Sequence, residues 1–420
     1  MIEEDKDIDS NFRVPLTKIR EIFPHPGNPK KPDVPITGLE IAKVYDFEVV
    51  ISKKSGLKVG DSVIFFPPKS VLPNWLDLQL FPPESKIKLE KGRIKFINIQ
   101  GFASYGMLVK PSEISDKITK TIQSDGSIVE YSQPIKAMIN IAELESDLKE
   151  ILEVKKYEPP SLVRSNLNKN IQNPPKSKED ENPLFKKYNG CTNIKWVPDL
   201  FQEGDYVWIS EKLHGSNWRA SLLPSNSKKL WHRILQFFKL KSKYEFCYGS
   251  NNVQLQSKKK DHKGYYDENY YLEMVKKYDI DKKLRPGETV YAEMIGDKIQ
   301  KNYTYGCKDG ERRLVVFDVL FQDLKTQEMR WYTLDELCAF CIRTGLEMVP
   351  ILFWGSWKKD LAATLVQGPS KYCPDQKVRE GIVIKHDSKE KMKFEERAKI
   401  KWINAEYLRK EEDGETTENK

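Results

Sequence analysis

The sequence contains no apolar run of the eighteen or more residues that a membrane-crossing helix needs. Its start, MIEEDKDIDSNF, is acidic and polar, so it lacks the basic stretch and apolar segment of a secretory signal. Cysteine is scarce, with six scattered over 420 residues, which suits a reducing compartment and gives no disulfide framework to expect. These absences point to an intracellular protein, cytoplasmic or nuclear, without membrane contact. No glycine-rich phosphate loop is present, which excludes a P-loop kinase, and no internal repeat is found. The single Cys-x-x-Cys pair, Cys338 and Cys341, has no second pair at matched spacing. It falls within the helical TLDELCAFCIRTG, so it reads as core rather than as a zinc site.

What is present is a globular composition, 39% hydrophobic and 31% charged, on a chain long enough for two or three domains. The net charge is +8, and lysine is clustered, as in KLKSK at 239–243 and QSKKKDHK at 256–263. Such clusters can meet phosphates.

Residues 12–150 carry short strand candidates between Gly, Pro and Asp turns: FRVPLTKIREI, EIAKVYDFEVVIS, DSVIFFP, GRIKFINIQG and SYGMLVKP. Their number and length predict a closed or partly closed OB-like β-barrel. Arg93 and Lys95, on a strand with aromatic neighbours, are candidate nucleic-acid contacts. His25, in FPHPG, reads as a turn residue. Residues 157–183 are rich in Pro, Asn, Ser and charge and read as a linker. From 184 to 410 the pattern predicts an α+β domain with antiparallel sheets. Strands are expected at 206–210, 217–223, 244–249, 289–294, 313–320 and 381–385, and helices at 268–278 and 333–344. The basic amphipathic stretch 228–243 reads as a helix packed on its own domain, with Lys239 and Lys241 as further candidate nucleic-acid contacts. The acidic tail 411–420 is expected to be disordered.

Within the second domain, ISEKLHGSNWRAS (209–221) puts Lys212 at the end of an apolar strand, just before a glycine turn. Glu293 in VYAEMIGDKIQ and Glu380 in REGIVIKHD also stand at strand ends before glycines, and Phe317 lies within RRLVVFDVLF. Lys399 and Lys401 in AKIKWIN are two apart, hence on one strand face. A lysine is nucleophilic only when neutral, and burial and nearby cations favour that form. The other lysines would bind triphosphate oxygens, the glutamates a divalent metal, and the phenylalanine ring a base. Together they fit attack of a lysine on an α-phosphate.

EKLHG, YAEMIG, LVVFDVL, EGIVIK and KIKW resemble, in order, motifs I, III, IIIa, IV and V of the covalent nucleotidyltransferases, which share an ATP-grasp-like catalytic fold with DNA and RNA ligases. EKLHGSN is more similar to RNA ligases than to DNA ligases or capping enzymes. GLKVGDSVIFFPPKSVLP, GRIKFINIQGFASYGMLVKP and GDKIQKNYTYG resemble the Deinococcus-type RNA ligases. The resemblance implies an ATP-dependent ligase, using Mg2+ or Mn2+, that joins a 3′-OH RNA end to a 5′-phosphate end at nicks in duplexes. Lys212 would carry AMP. Glu211 and Phe317 would contact adenine, Glu293 the ribose, and Lys399 and Lys401 the phosphates. Asn217 would touch the AMP or the 5′-phosphate. Glu380 would organise the metal, through its water shell, with Glu293 as a possible second ligand. The partner would be RNA or an RNA-containing nicked duplex, and the chain a monomer. One departure stands out: YGSNNVQ places Asn251 where related ligases carry an arginine. Either Arg219 replaces it, or nucleotide binding is weaker, or the activity is altered. The competing readings are a capping-type guanylyltransferase and a nucleic-acid-binding protein with an inactive ligase domain.

Overall fold

The structure is a computed structural model, and it describes residues 12–122, 128–157, 182–225, 243–255, 269–300 and 303–410. The expected linker lies almost wholly outside these residues, as do the acidic tail, nearly all of the 228–243 stretch, Lys239 and Lys241. The chain divides into two compact units. One holds residues 12–157 with Thr192–Pro198 and 408–410, and the other holds 182–191 with Asp199–Tyr407. No helix among the described residues is long and apolar enough to cross a membrane.

The first unit departs from the expected barrel. Its strands pair as separate small antiparallel sheets. Leu16–Lys18, Ser62–Phe66 and Met107–Val109 form one, and Glu21–Pro24, Leu39–Val44 and Phe47–Ser52 another. Phe96–Ile99 pairs with Phe102–Tyr105, and Lys117–Ile122 with Ile128–Gln133. No ring of pairings closes among the described residues. The strands are three to six residues long, and Pro67, Pro68 and Pro73 follow Ser62–Phe66 closely, so few ladder bonds can pass from one sheet to the next. Ser62–Phe66 instead serves as a shared wall. Side chains alternate sides along a strand, and here Val63 and Phe65 join a core with Phe47 and Tyr105, while Ile64 and Phe66 join a second core with Leu76 and Ile114.

The second unit matches the predicted class. One antiparallel sheet is built on β1 (Tyr206–Lys212) and another on β2 (Ser216–Pro224), which pairs with β3 (Tyr244–Gly249). The second sheet continues through β4 (Glu288–Gly296), β5 (Arg312–Gln322) and β6 (Met329–Trp331). The first is completed by β7 (Ile351–Ser356) on one side of β1. On the other lie β8 (Gly381–His386) and then β9 (Lys399–Ile403). In β1, β4 and β5 nearly every residue is buried, because both sheet faces are covered. That is why these segments read as continuous apolar runs rather than alternating ones. The helix Leu334–Thr344 starts on a Thr333–Glu336 capping box and ends at left-handed Gly345. It carries Cys341 buried and Cys338 half-buried, the latter with its Sγ 4.0 Å from Met348 Sδ.

Two glycines let the sheets meet at the mouth of β1. A Cβ on Gly215, in the turn between β1 and β2, would lie 2.3 Å from the Met294 carbonyl oxygen of β4. One on Gly381, opposite Lys212, would lie 2.2 Å from the Trp402 carbonyl oxygen of β9. Both contacts are with backbone, so no side chain fits at either position.

Candidate active site

Lys212 ends β1 in register with Gly381, which brings it beside Glu380, the residue before β8. Its Nζ is 2.7 Å from Glu380 Oε1, and its side chain stays 28% exposed. Burial alone would lower the Lys212 pKa, but the charges of Glu380 and Glu293 outweigh it and the net shift is upward. Lys212 is therefore an ammonium in this arrangement. Burial pushes the Glu380 carboxyl up, yet Lys212 and His214 pull harder and hold it at about 2.

Glu293 projects from β4 opposite Asn217 of β2. Burial raises it to about 7, the Lys212 charge pulls it partly back, and the like charge of Glu380 adds to the rise. His214, in the turn, donates its backbone N–H to the Tyr305 hydroxyl at 2.8 Å, and its Nδ1 lies 3.1 Å from the Tyr407 hydroxyl. Its Nδ1 is also 3.7 Å from Glu380 Oε2, too far for a hydrogen bond. Gln300 Nε2 donates to the Gly215 carbonyl at 3.0 Å. Gln300 and Tyr305 thus fix the turn that follows the lysine.

Glu211, one residue before, is 1% exposed. Its Oε2 accepts from the backbone N–H groups of Lys371 and Tyr372 at 2.7 and 3.2 Å, while Oε1 has no partner. The other unmatched buried atoms include three more on motif residues: Asn217 Oδ1, Glu380 Oε2 and Lys399 Nζ. An unpaired buried polar atom costs about 1–3 kcal/mol. Orphans on four residues of the motif set mark a surface built to receive a polar ligand. Among the described residues no group of three or more His, Cys, Asp or Glu is placed to hold a metal ion by itself. Glu380, which has an unmatched oxygen, and Glu293 are the carboxylates whose charges act on Lys212, and they are the candidates to hold a cation there.

Phe317 of β5 and Lys399 of β9 border a second cluster around Tyr188. The Tyr188 ring meets Phe317 edge-on at 4.9 Å, and Lys399 Nζ sits 3.7 Å from the Tyr188 ring centroid and 4.6 Å from that of Trp331. Burial lowers Lys399 to about 7. Lys401 projects from the same face of β9 as Lys399, in register with Val383.

Three further candidate residues, Arg219, Arg93 and Lys95, make contacts within the protein. Arg219 is 2% exposed, and its guanidinium donates to the carbonyls of Ser250 and Phe185, at 2.8 and 2.6 Å, and stacks on the Phe185 ring. It thereby anchors the 185–191 segment. Arg93 is 7% exposed and stacks on Tyr157, so its charge is turned inward. Lys95 is paired with Glu90 at 2.8 Å.

Sequence reasoning missed Tyr188 and the buried ion cluster beneath it. Asp318 accepts from the Tyr188 hydroxyl at 2.9 Å, from Lys385 Nζ at 3.0 Å and from Arg397. Burial raises Asp318, but Arg397 and Lys385 outweigh it and bring it to about 2. The one available signal was an aspartate inside the apolar LVVFDVLF.

A half-buried lysine held by one carboxylate, with a second near neutral and orphaned acceptors around it, is an arrangement suited to nucleotidyl transfer. Residues 205–403, the part of the chain that holds this site, match the family model described as RNA ligase. No match is found among curated proteins. Among solved structures, the fold is similar to that of a Naegleria gruberi RNA ligase with pyrophosphate. The identity is 18%, the TM-score is 0.64, and the match covers 95% of this chain and 98% of that one. Substituted forms of the same ligase are also similar. One with ATP and Mn has 17% identity, TM-score 0.65 and coverage of 96% and 100%. One with AMP and Mn has 18% identity, TM-score 0.63 and coverage of 95% and 99%.

Proposed function

We propose that this chain is an ATP-dependent RNA ligase of the Deinococcus type that seals nicks through a lysyl-AMP intermediate on Lys212. The observation that carries the proposal is Lys212 itself, an amine held 2.7 Å from Glu380 among buried, unmatched polar atoms. The ATP, AMP and Mn of the similar Naegleria structures support the choice of nucleotide and metal.

Lys212 Nζ attacks the α-phosphorus of ATP, a P–N bond forms, and pyrophosphate leaves. A 5′-phosphate oxygen then attacks the adenylyl phosphorus and the P–N bond breaks, returning the amine. Finally the 3′-OH attacks the activated 5′-phosphate and AMP leaves. The first step needs a neutral amine, whereas Glu380 and Glu293 favour the ammonium. Mg2+ or Mn2+ on Glu380 and Glu293 would supply the positive charge that turns this balance toward the amine.

Glu211 Oε1 is the acceptor for the adenine amino group, and Phe317 offers a ring to stack on the base. Lys399 and Lys401 meet the phosphates, and Asn217 meets the AMP. The first unit, whose sequence segments resemble the N-terminal module of that family although no barrel closes in it, is assigned to the nucleic acid.

The test is sealing of a nicked duplex that has an RNA 3′-OH and a labelled 5′-phosphate. The joined strand and an adenylylated 5′ end are expected. Protein that takes up AMP but never joins RNA ends would overturn the ligase reading while leaving nucleotidyl transfer standing.

A further inference from the structure

Tyr188 lies outside every motif that the sequence displays, yet its ring contacts two motif residues, Phe317 and Lys399. Its backbone is fixed by Asn251, whose Oδ1 accepts the Tyr188 N–H at 2.8 Å and whose Nδ2 donates to the Tyr188 carbonyl at 3.3 Å. The flanking residues are fixed too. The Phe185 carbonyl accepts from Arg219, and the Lys186 carbonyl accepts from the Tyr291 hydroxyl at 2.9 Å. The Tyr188 hydroxyl is tied to Asp318. Backbone and hydroxyl are both held, so the ring has one orientation, with Lys399 Nζ 3.7 Å from its centroid. Lys399 Nζ has no hydrogen-bond partner and is buried. The ring face is thus a principal attraction holding that ammonium in place.

We propose that Tyr188 is a positioning residue for ATP binding: its ring face holds the Lys399 ammonium where a triphosphate can take it, and Asn251 acts through Tyr188 by fixing its backbone. The proposal rests on the nucleotidyl-transfer reading above. It also gives Asn251 a role that an arginine in its place would not fill in the same way, since a guanidinium has no acceptor for the Tyr188 N–H.

The groups that face Lys399 set the direction of the effect. Asp318 of β5 favours its charged form, as does the Cys191 thiol when ionised, while Arg397 and Lys385 of β8 disfavour it. Burial is the largest influence and also disfavours the charge. The rings of Tyr188 and Trp331 favour it. Removing the Tyr188 ring therefore makes the ammonium harder to keep, and Lys399 loses its proton at a lower pH.

The experiment follows lysyl-AMP formation in the full chain as a function of ATP concentration and pH, for the wild type, Tyr188→Leu, Tyr188→Phe and Asn251→Ala. Tyr188→Leu is expected to move the alkaline loss of ATP affinity down by about one pH unit. At alkaline pH it should raise the half-saturating ATP concentration about tenfold, with the limiting rate much less changed. Tyr188→Phe keeps the ring and is expected to restore the wild-type pH profile. Asn251→Ala is expected to shift the same way by a smaller amount. A Tyr188→Leu profile that overlays the wild type would overturn the proposal, as would a loss confined to the limiting rate. If Tyr188→Leu does not fold, Asn251→Ala decides: a shift in ATP affinity supports the proposal and an unshifted profile overturns it. A wild type that forms no adduct at all would instead count against the nucleotidyl-transfer reading.

Discussion

Lys212 is kept charged by the same carboxylates that would organise its reaction. Glu380 is fully ionised beside it, while Glu293 is pushed up to about 7 by burial. Because the folded chain holds a proton on Glu293 that the unfolded chain has lost, this residue favours folding fully below its ordinary pKa of 4.5. The contribution fades as pH rises through 7. We therefore expect thermal stability, without nucleotide or metal, to fall between pH 4.5 and 7 and the fall to flatten in Glu293→Gln. Melting temperatures across that range for both proteins are the check, and identical slopes would count against the assignment. Glu211 shows a different economy of charge, with one oxygen closing the 371–372 loop and the other left for a ligand. Asn251 reads alike at this scale. Its amide clamps the backbone of Tyr188.

At the scale of elements, the strands of the second unit were legible because both of their faces are covered. ETVYAEMIG and RRLVVFDVLFQ are apolar enough to be read without partners. Their ends ran one or two residues further than expected. Polar residues such as Glu211 and Lys212 still pair in the sheet. The sheet pairing of the first unit was not legible, and the expected barrel was wrong, since which short strand pairs with which depends on residues far apart in sequence. Leu16 faces Ile64, and Ile64 faces Val109. The Asp318 cluster was hidden for the same reason, because Arg397 is 79 residues from its aspartate. The turn glycine was legible, and its geometry yields a prediction. Gly215→Ala drives a Cβ against the Met294 carbonyl, so a loss of about 1–3 kcal/mol of stability is expected. A displaced Lys212 would also slow adduct formation by about a hundredfold. Denaturant midpoints and labelling rates read the two effects separately, and a variant with wild-type values in both would show that the turn tolerates a side chain.

For the whole molecule, the proposed ligase reading assigns the net charge of +8 to RNA rather than to ATP chemistry. Arg93 stacks on Tyr157 and Lys95 is paired with Glu90. Contacts with phosphates are lost steeply as salt rises. Between 50 and 200 mM salt, sealing of a nicked RNA duplex is expected to weaken by at least tenfold, with lysyl-AMP formation changing far less. Parallel losses in both steps would argue that the charge serves the nucleotide site alone.

The central claim is that Lys212 becomes covalently linked to AMP. The most direct measurement incubates the protein with α-labelled ATP and Mg2+ or Mn2+, beside Lys212→Ala, and looks for label on the denatured chain. The protein must first be shown to be folded and free of bound AMP. Label on the wild type and none on Lys212→Ala is the predicted result. No label with any nucleotide or metal, or equal label on both proteins, would contradict the account.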